Sequence, residues 1–472
     1  MRRGIWTFAA IAIITTACGA RGDTAGDDES EGPTTTAAAA VTTEFGEMAS
    51  PCGDAADGKP ITLDPAEAGT GTDKLHVGIA NERTAEARPG LLEELWNTGV
   101  AFANWCNEQG GIGGLEVVPV DLDGKLFKVE AAMTTACTGV FAMAGGAFGQ
   151  DNQVFTGKDG SDFHKCKLIA FPALTVSTDF GEANGVVQAI GNHGYVKSVS
   201  WLDDLKSLYP DEVAKTVVVY PEGLPSVKVN AQQVKAVAEE AGFGLLDDIT
   251  FQVLNNDFSI TAQKVMTEGA TSVSFIGETE GFAIFVAELK TKGYQGIVWA
   301  DTNLYDPKVL TTRGPENAEG VLVREVIHPF EEAEMWPATK QFIDIVTEYG
   351  PPGSAPTALG VQSFSASLLL ARSVNDCAAS NDGRVTRQCV VEAANQITDW
   401  SAGGLHAPYD LSGESTQSCS MWLQVTDGEY TRKFPELGSD DDTDDGMHCD
   451  PEGLIPIEGD FGQGNVDPTR GY

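Results

Sequence analysis

The chain has 472 residues and carries 69 acidic side chains against 30 lysines and arginines, so its formal net charge is −39. This excess of acid argues against a nucleic-acid partner, whose binding requires a basic surface, and against electrostatic adhesion to anionic lipid. It fits a soluble exported protein whose copies repel one another.

The N-terminal residues have the pattern of an export signal. Arg2 and Arg3 precede an apolar stretch at residues 5–14, which is too short to span a bilayer because a spanning helix needs about 20 residues. Small residues directly before Cys18 resemble a bacterial lipobox, so residues 1–17 are predicted to be a lipoprotein signal peptide. A diacylated Cys18 would anchor the protein to the outer surface of the cell membrane. Ordinary cleavage at a small-residue site is the alternative.

Residues 18–72 contain few large apolar side chains and are predicted to form a flexible tether. Beyond it the chain alternates between strand and helix patterns. Apolar runs predict strands at 75–80, 115–120, 140–144 and 168–171, and helical spacing predicts helices at 92–106 and 128–138.

A second alternating set begins further along the chain. Strands are predicted at 216–220, 271–276 and 297–300, and helices at 231–241, 258–268 (capped by Asp257) and 282–292. Repeated strand-helix-strand units predict parallel sheets flanked by helices, which bind ligands at the carboxyl ends of their strands. The loops after residues 144, 171, 220, 276 and 300 are therefore the expected binding loops. Residues 438–472 are predicted to be a solvated acidic tail, with a calcium loop as the alternative.

Eight cysteines remain besides Cys18, and an even number in an exported chain predicts up to four disulfides. None lies in a C-x-x-C pair, which argues against zinc-ribbon and thioredoxin-like chemistry. We expect the pairs Cys377–Cys389 and Cys419–Cys449 because each closes a short loop. The pair Cys106–Cys137 is expected because it would join two adjacent helices, and Cys52–Cys166 is left by elimination.

The order of several short motifs resembles that of a known family. The motifs are GGIGG at 110–114, FPALT at 171–175, DFS at 257–259, AEGVLV at 318–323 and WLQVTDGEY at 422–430. Together they resemble the type I periplasmic binding proteins of ABC transporters, in the branch that binds branched-chain amino acids (Leu, Ile and Val), over residues 74–434. The resemblance implies an α/β fold with two Rossmann-like lobes joined by a three-strand hinge.

Three chain crossings near Ile190, Ile327 and Ser412 would assign residues 73–191 and 328–411 to lobe 1, and residues 192–327 and 412–437 to lobe 2. The implied function is to capture a small polar solute, such as an amino acid, between the lobes and deliver it to ABC permease subunits. A sensing or interaction module with the same fold is the alternative. No histidine pair, serine elbow or dinucleotide loop indicates an enzyme, a metal or a cofactor.

The resemblance also suggests ligand contacts. In lobe 1 these are Gly149 or Gln150, in place of the family's Ser, together with Ala173 and Thr175. In lobe 2, Glu278 or Asp301 could pair with an ammonium group and Tyr305 could cover the ligand. Each contact has an alternative interpretation without a ligand. The first lobe 1 loop would be a structural glycine turn, Thr175 would cap its own loop, and the lobe 2 residues would be ordinary polar loop residues. The family's Ser and its lobe 2 aromatic motif are absent here, so leucine itself is not the expected ligand.

Overall fold

A computed structural model describes residues 43–55, 58–67, 71–152, 162–253, 255–412, 416–470 and 472. The predicted signal peptide, Cys18 and the first part of the predicted tether lie outside these residues. Within the described parts of the chain, no helix is both long and apolar enough to cross a membrane.

The strands of the described residues fall into five sheets, two of which are large. In chain order the strands are β1 (Glu44–Phe45), β2 (Met48–Ala49), β3 (Thr62–Leu63), β4 (Lys74–Asn81), β5 (Glu116–Asp123), β6 (Ala142–Ala144), β7 (Ala170–Phe171), β8 (Val196–Ser198), β9 (Thr216–Glu222), β10 (Ile249–Gln252), β11 (Ser272–Phe275), β12 (Ile297–Ala300), β13 (Leu322–Glu325), β14 (Arg384–Val385), β15 (Cys419–Thr426), β16 (Glu429–Phe434), β17 (His448–Cys449) and β18 (Leu454–Pro456).

Helices connect most of these strands. In chain order the α-helices of the described residues are α1 (Glu93–Glu108), α2 (Val129–Gly139), α3 (Asp162–Lys165), α4 (Thr178–Gly181), α5 (Ser200–Leu208), α6 (Pro225–Glu240), α7 (Ser259–Glu268), α8 (Thr279–Thr291), α9 (Pro307–Thr311), α10 (Pro315–Ala318), α11 (Pro337–Tyr349), α12 (Ala358–Ser380) and α13 (Arg387–Ala394).

Lobe 1 is built on a four-stranded parallel sheet with the order β5-β4-β6-β7. Successive side chains of β4 face opposite layers, as expected for a strand covered on both faces. Ile79 packs against Gly99 of α1, whereas Gly78 faces Leu122 and Val140 on the other side. The strand order reverses at β4, so right-handed crossovers place α1 and α2 on opposite faces of the sheet.

Lobe 2 is built on a larger sheet with the order β10-β9-β11-β12-β13-β15-β16, in which β17 also pairs with β15. Strands β10 to β13 are parallel, and β15 returns antiparallel beside β13. One face of this sheet carries a cluster of three tryptophans. The rings of Trp201 and Trp299 meet edge to face at 5.7 Å, and Trp422 lies 5.8 Å from Trp201.

The predicted strands and helices between residues 75 and 300 are present, with ends displaced by only a few residues except at α6, which begins six residues earlier. The α7 start shows why an end can shift. Asp257 was predicted as the cap of a helix from residue 258, but the helix begins at Ser259, whose amide donates to the Asp257 carboxylate at 2.9 Å. The acidic side chain therefore binds the first helical amide from one position further out than predicted.

Four disulfides are present, and two of them correct the predicted pairing. Cys377–Cys389 and Cys419–Cys449 are paired as predicted. The other pairs are Cys52–Cys106 and Cys137–Cys166, so the predicted Cys106–Cys137 and Cys52–Cys166 pairs are wrong. Cys106 on α1 and Cys137 on α2 are separated by the lobe 1 sheet, because the two helices cover opposite faces of it.

Both ends of the described chain are more ordered than predicted. In the predicted tether, Phe45 and Leu63 are fully buried, and β3 pairs with β14. In the predicted acidic tail, β17 pairs with β15 and β18 pairs with β8. Apolar side chains are few in these segments, but Met447 and Phe461 are buried and hold the C-terminal segment against the body.

Candidate functional site

A cavity of about 300 Å³ lies between the two lobes. All five loops predicted from the strand ends contribute to it, as expected where parallel strands end at one edge. The residues that line it from these loops are Ala147, Phe148, Gly149, Ala173, Leu174, Thr175, Val176, Pro221, Leu224, Ile276, Gly277, Glu278, Asp301, Thr302 and Asn303. Residues at or near the predicted chain crossings also line it, namely Ile190, Gly191, Asn192, Val326, Thr416 and Gln417.

Two backbone loops form the lobe 1 wall, and each supports the other. The Ala173 amide donates to the Gly146 carbonyl at 3.0 Å. Gly146 is required at this point because a Cβ atom would lie 2.1 Å from the backbone nitrogen of Ala80. The Thr175 hydroxyl donates to Gln188 Oε1 at 3.0 Å, so its lone pairs are what it can offer to a ligand.

Beneath the same loops lies Glu82, a fully buried carboxyl group that lines the cavity. Its Oε1 accepts from the Gly149 amide at 3.3 Å, while Oε2 is buried without a partner among the described residues. Burial raises the pKa of Glu82 to about 8, the Gly149 amide opposes this, and the nearby Asp123 and Asp151 carboxylates add to it. At neutral pH Glu82 is therefore an uncharged group that can donate a hydrogen bond.

The lobe 2 wall combines aromatic side chains with two cations. Trp201, Phe275 and Trp299 line it together with Lys197 from β8 and Arg324 from β13. Lys197 Nζ donates to Asn192 Oδ1 at 2.5 Å, and Arg324 Nη1 lies 3.0 Å from Asp301 Oδ1. Burial lowers the pKa of Lys197 to about 7; Arg324 adds to the lowering, and the Asp301 and Glu182 carboxylates oppose it.

Five of the seven predicted contact residues line the cavity, namely Gly149, Ala173, Thr175, Glu278 and Asp301. Glu278 is engaged in capping α8, where it accepts from the amides of Glu280 and Gly281 at 2.8 Å each. It also pairs with Arg88 at 3.0 Å. Neither lobe 2 acid is therefore a free partner for a ligand ammonium group.

Tyr305 and Gln150 are not part of the cavity wall. Tyr305 is 2 % exposed and stacks on Phe330 at 4.9 Å, and its hydroxyl is bound to Glu331 and to the Phe330 amide. The prediction that it covers the ligand is wrong, because the chain turns its ring into the apolar core. The Gly149 position, rather than Gln150, faces the cavity.

The lobes are in direct contact at the mouth of the cleft. Arg88 of lobe 1 binds Glu278 and Glu280 of lobe 2, at 3.0 and 2.7 Å. Lys308 of α9 lies 3.3 Å from Glu93 of α1. An apolar cluster of lobe 1 and lobe 2 side chains packs beside these ion pairs: Ala85, Leu91, Leu126, Leu224, Val227 and Val253. The described structure is therefore a form with the lobes closed.

Sequence reasoning missed Glu82, Arg88, Lys197 and Arg324. The first two follow β4, the first strand of lobe 1, whose loop was not among those expected to bind. The two cations lie within β8 and β13 rather than after a strand. The sequence does contain an indication of the two cations. A Lys or Arg within a buried strand must contact either a cavity or a polar partner, because an isolated buried charge is costly.

One cluster of metal-ligating side chains occurs in the described part of the chain, at Cys419, Asp444 and Cys449. Both cysteine sulfurs are joined in a disulfide. They are therefore not thiolate ligands, and the cluster has no relation to the cavity.

Two lobes with a cavity between the ends of their parallel strands are the architecture of a two-lobed binding protein. The chain matches the family described as periplasmic binding protein over residues 74–429, and it belongs to that family. The predicted type I periplasmic-binding-protein fold is confirmed. No curated protein sequence matches the chain.

Solved structures share the fold at low sequence identity. A fatty acid ABC transporter substrate-binding protein from Thermomonospora curvata is 14 % identical, with 80 % of this chain and 95 % of that chain covered and a TM-score of 0.64. A leucine-binding protein from Thermotoga maritima is 17 % identical, with coverage of 76 % and 97 % and a TM-score of 0.59. A solute-binding protein from R. palustris in complex with 4-hydroxybenzoate is 15 % identical, with coverage of 77 % and 96 % and a TM-score of 0.60.

Proposed function

We propose that this protein is an extracytoplasmic receptor, lipid-anchored through Cys18, that captures a small solute between its lobes and delivers it to an ABC permease. The observation that carries the proposal is the cavity of about 300 Å³ at the strand ends of both lobes. Its volume lies at the small end of the usual range for ligand sites. The family's membership of ABC transport systems supports the delivery step.

Capture would work by closing a hinge. A solute touching only one lobe leaves the open form in place, whereas one touching both stabilises the closed form through its higher affinity for it. In lobe 1 the Gly149 loop, Ala173 and Thr175 would supply backbone groups and a hydroxyl oxygen. In lobe 2 the Asp301 loop would complete the enclosure. The permease would then recognise the closed shape.

The similar structures indicate which solutes to test first. They are a fatty acid ABC transporter substrate-binding protein, a leucine-binding protein and a solute-binding protein in complex with 4-hydroxybenzoate. The present chain shares the fold with all three, at identities that do not select among them. The cavity wall has more apolar than polar residues, which favours solutes with an apolar body over highly polar ones.

Native mass spectrometry of the protein, purified without denaturation, tests capture directly. A solute retained by the protein should appear as a discrete mass shift, and adding that solute should raise the melting temperature. Ala173→Phe places a ring in the cavity and should abolish both effects. Ala131→Phe is the matched control, because Ala131 is exposed on α2 away from the cavity. Retention by Ala173→Phe equal to that of the control would contradict the placement of the site.

A further inference from the structure

Part of the cavity wall in lobe 2 is strongly apolar. It contains the side chains of Trp201, Val234, Val237, Phe275 and Trp299. Val234 and Val237 belong to α6, whereas Phe275 and Trp299 belong to strands, so the cavity extends from the cleft alongside α6 into lobe 2. This part of the wall is suited to an apolar group that is removed from water.

Two cations, Lys197 and Arg324, line the cavity beside these apolar side chains. Arg324 is paired with Asp301 at 3.0 Å and its guanidinium lies 5.1 Å from the Trp201 ring centre. Lys197 has a neutral partner, the Asn192 amide oxygen. Glu182, the other nearby acid, is occupied by His193 at 3.2 Å and by the Gly194 amide at 2.7 Å.

Lys197 forms no ion pair with the described residues, because the partner of its amine is a neutral amide oxygen. Arg324 Nε is buried and has no hydrogen-bond partner among the described residues. A buried donor without an acceptor is costly, so the guanidinium of Arg324, a residue that lines the cavity, is not fully satisfied by the protein. Both observations point to an anion at Lys197 and Arg324.

The remaining polar groups do not favour a zwitterion. Three acids line the cavity, and two of them, Glu278 and Asp301, are bound to arginines. Glu82 is the third, and burial keeps it uncharged at neutral pH. The described wall therefore offers no free carboxylate to an amino-acid ammonium group.

We propose that the ligand is an amphipathic monoanion, a carboxylic acid with an aliphatic or aromatic body and no ammonium group. Its carboxylate binds between Lys197 and Arg324, and its body lies along Trp201 and Trp299. This inference rests on the proposed solute-binding function and narrows it to a ligand class. Binding the anion favours protonated Lys197, so ligand uptake is coupled to proton uptake above pH 7.

A matched set of probes tests this assignment: octanoate, 1-octanol, octylammonium and leucine. The full chain is first freed of retained solute on a hydrophobic resin, and binding is followed by tryptophan fluorescence and calorimetry at pH 6. We expect octanoate to bind at least about 10-fold more tightly than 1-octanol or octylammonium, because a charge-assisted hydrogen bond is lost in each. Leucine should not bind measurably.

Variants then test the head-group position. Lys197→Met and Arg324→Gln should each weaken octanoate about 10- to 100-fold while binding 1-octanol no worse than wild type, which shows that the cavity is intact. Octanoate affinity should fall between pH 6 and pH 8.5 more steeply in the wild type than in Lys197→Met, where only the ionisation of Glu82 remains to weaken it. Lys228→Met is the matched control, since Lys228 is exposed on α6 outside the cavity.

Each contrary result has a distinct meaning. Equal affinity for octanoate in wild type and both variants would overturn the head-group position. Leucine or octylammonium binding in place of octanoate would overturn the ligand class and leave the solute-binding function standing. Failure of all four probes, and of a wider panel of amino acids, would count against the ligand class and the proposed function together.

Discussion

Arg88 of lobe 1 places its guanidinium 3.0 Å from the carboxylate of Glu278 in lobe 2, so an ion pair spans the cleft. The arginine side chain is 7 % exposed, and it also binds Glu280 and the Asn255 carbonyl on the same side. A guanidinium presents several donors in a fixed plane and can hold two acids at once. Arg88 therefore links the two lobes through ion pairs.

Arg88→Met should weaken closure. The change leaves Glu278 and Glu280 without their cation. Because both carboxylates are partly exposed, we expect the loss of these charged hydrogen bonds to cost about 1.5–3 kcal/mol. We expect a larger radius of gyration by small-angle X-ray scattering and at least a tenfold loss of affinity for a retained solute. Arg372→Met is the control, because Arg372 forms an exposed pair with Asp376 on α12. An unchanged radius and affinity in Arg88→Met would show that the pair does not hold the lobes.

Glu82 gives a prediction for the pH dependence of stability. Its folded pKa of about 8 lies above the ordinary glutamate value of 4.5, so the folded state holds a proton that the unfolded state releases. Stability therefore falls as pH rises from about 4.5 to 8. At pH 7 the cost is on the order of 3 kcal/mol, since one pKa unit corresponds to about 1.4 kcal/mol.

Glu82→Gln should remove this part of the dependence. A neutral amide keeps the acceptor for Gly149 and cannot ionise, so the variant should match the wild type near pH 5 and exceed it at pH 7 in urea unfolding. Burial also raises the pKa of Asp151 and of Glu94, each to about 7, so a residual slope should remain. Glu86→Gln, on the exposed part of the same loop, is the control. Parallel pH profiles for wild type and Glu82→Gln would contradict the assignment.

The strands and helices were predictable because they depend on local patterns. Short apolar runs such as those of β9 and β12 are buried on both faces of a parallel sheet, and α1 follows the spacing of one apolar helix face. Disulfide pairing, in contrast, depends on contacts between residues that are far apart in the chain. Whether Cys106 meets Cys52 or Cys137 depends on which face of the sheet each helix covers, and two adjacent helices in sequence can lie on either face.

For the site, the sequence predicted which loops form it but not which side chains face the cavity. That strand ends meet at one edge follows from parallel topology, and this brought Ala173, Thr175 and Asp301 together. The direction of a side chain within a loop was not predictable, and Tyr305 turned into the core. Lys197 and Arg324 are 127 positions apart on different strands, so their proximity appears only once the strands are packed.

The corrected disulfides can be checked by peptide mapping without reduction. Digestion should yield cross-linked peptides that join Cys52 to Cys106 and Cys137 to Cys166. Replacing both Cys52 and Cys106 by Ala should lower the free energy of unfolding by about 2–4 kcal/mol, because the cross-link restricts the unfolded chain. A peptide that joins Cys106 to Cys137 would restore the pairing expected from sequence.

Membrane anchoring depends on Cys18, which lies outside the described residues. In a bacterial host, Cys18→Ser should lose incorporation of labelled fatty acid and should leave the membrane fraction, because the thiol is the acylated group. Ala20→Ser, two residues downstream in the tether, controls for changes to the processing region. Label incorporated equally by Cys18→Ser and wild type would show that the lipobox interpretation is wrong.

The C-terminal segment provides the last prediction. Phe461 is 3 % exposed and packs against Tyr195 at 5.4 Å, whereas Val466 in the same segment is 63 % exposed. A solvated tail would contribute little to stability at either position. Because large-to-small changes at buried aromatic positions cost about 3–5 kcal/mol, Phe461→Ala should lower the free energy of unfolding by roughly 3 kcal/mol. Val466→Ala should change it by less than about 0.5 kcal/mol. Urea unfolding of both variants measures these changes. Equal and small effects would show that the segment is a solvated tail, whereas the expected difference would show that it is part of the folded domain.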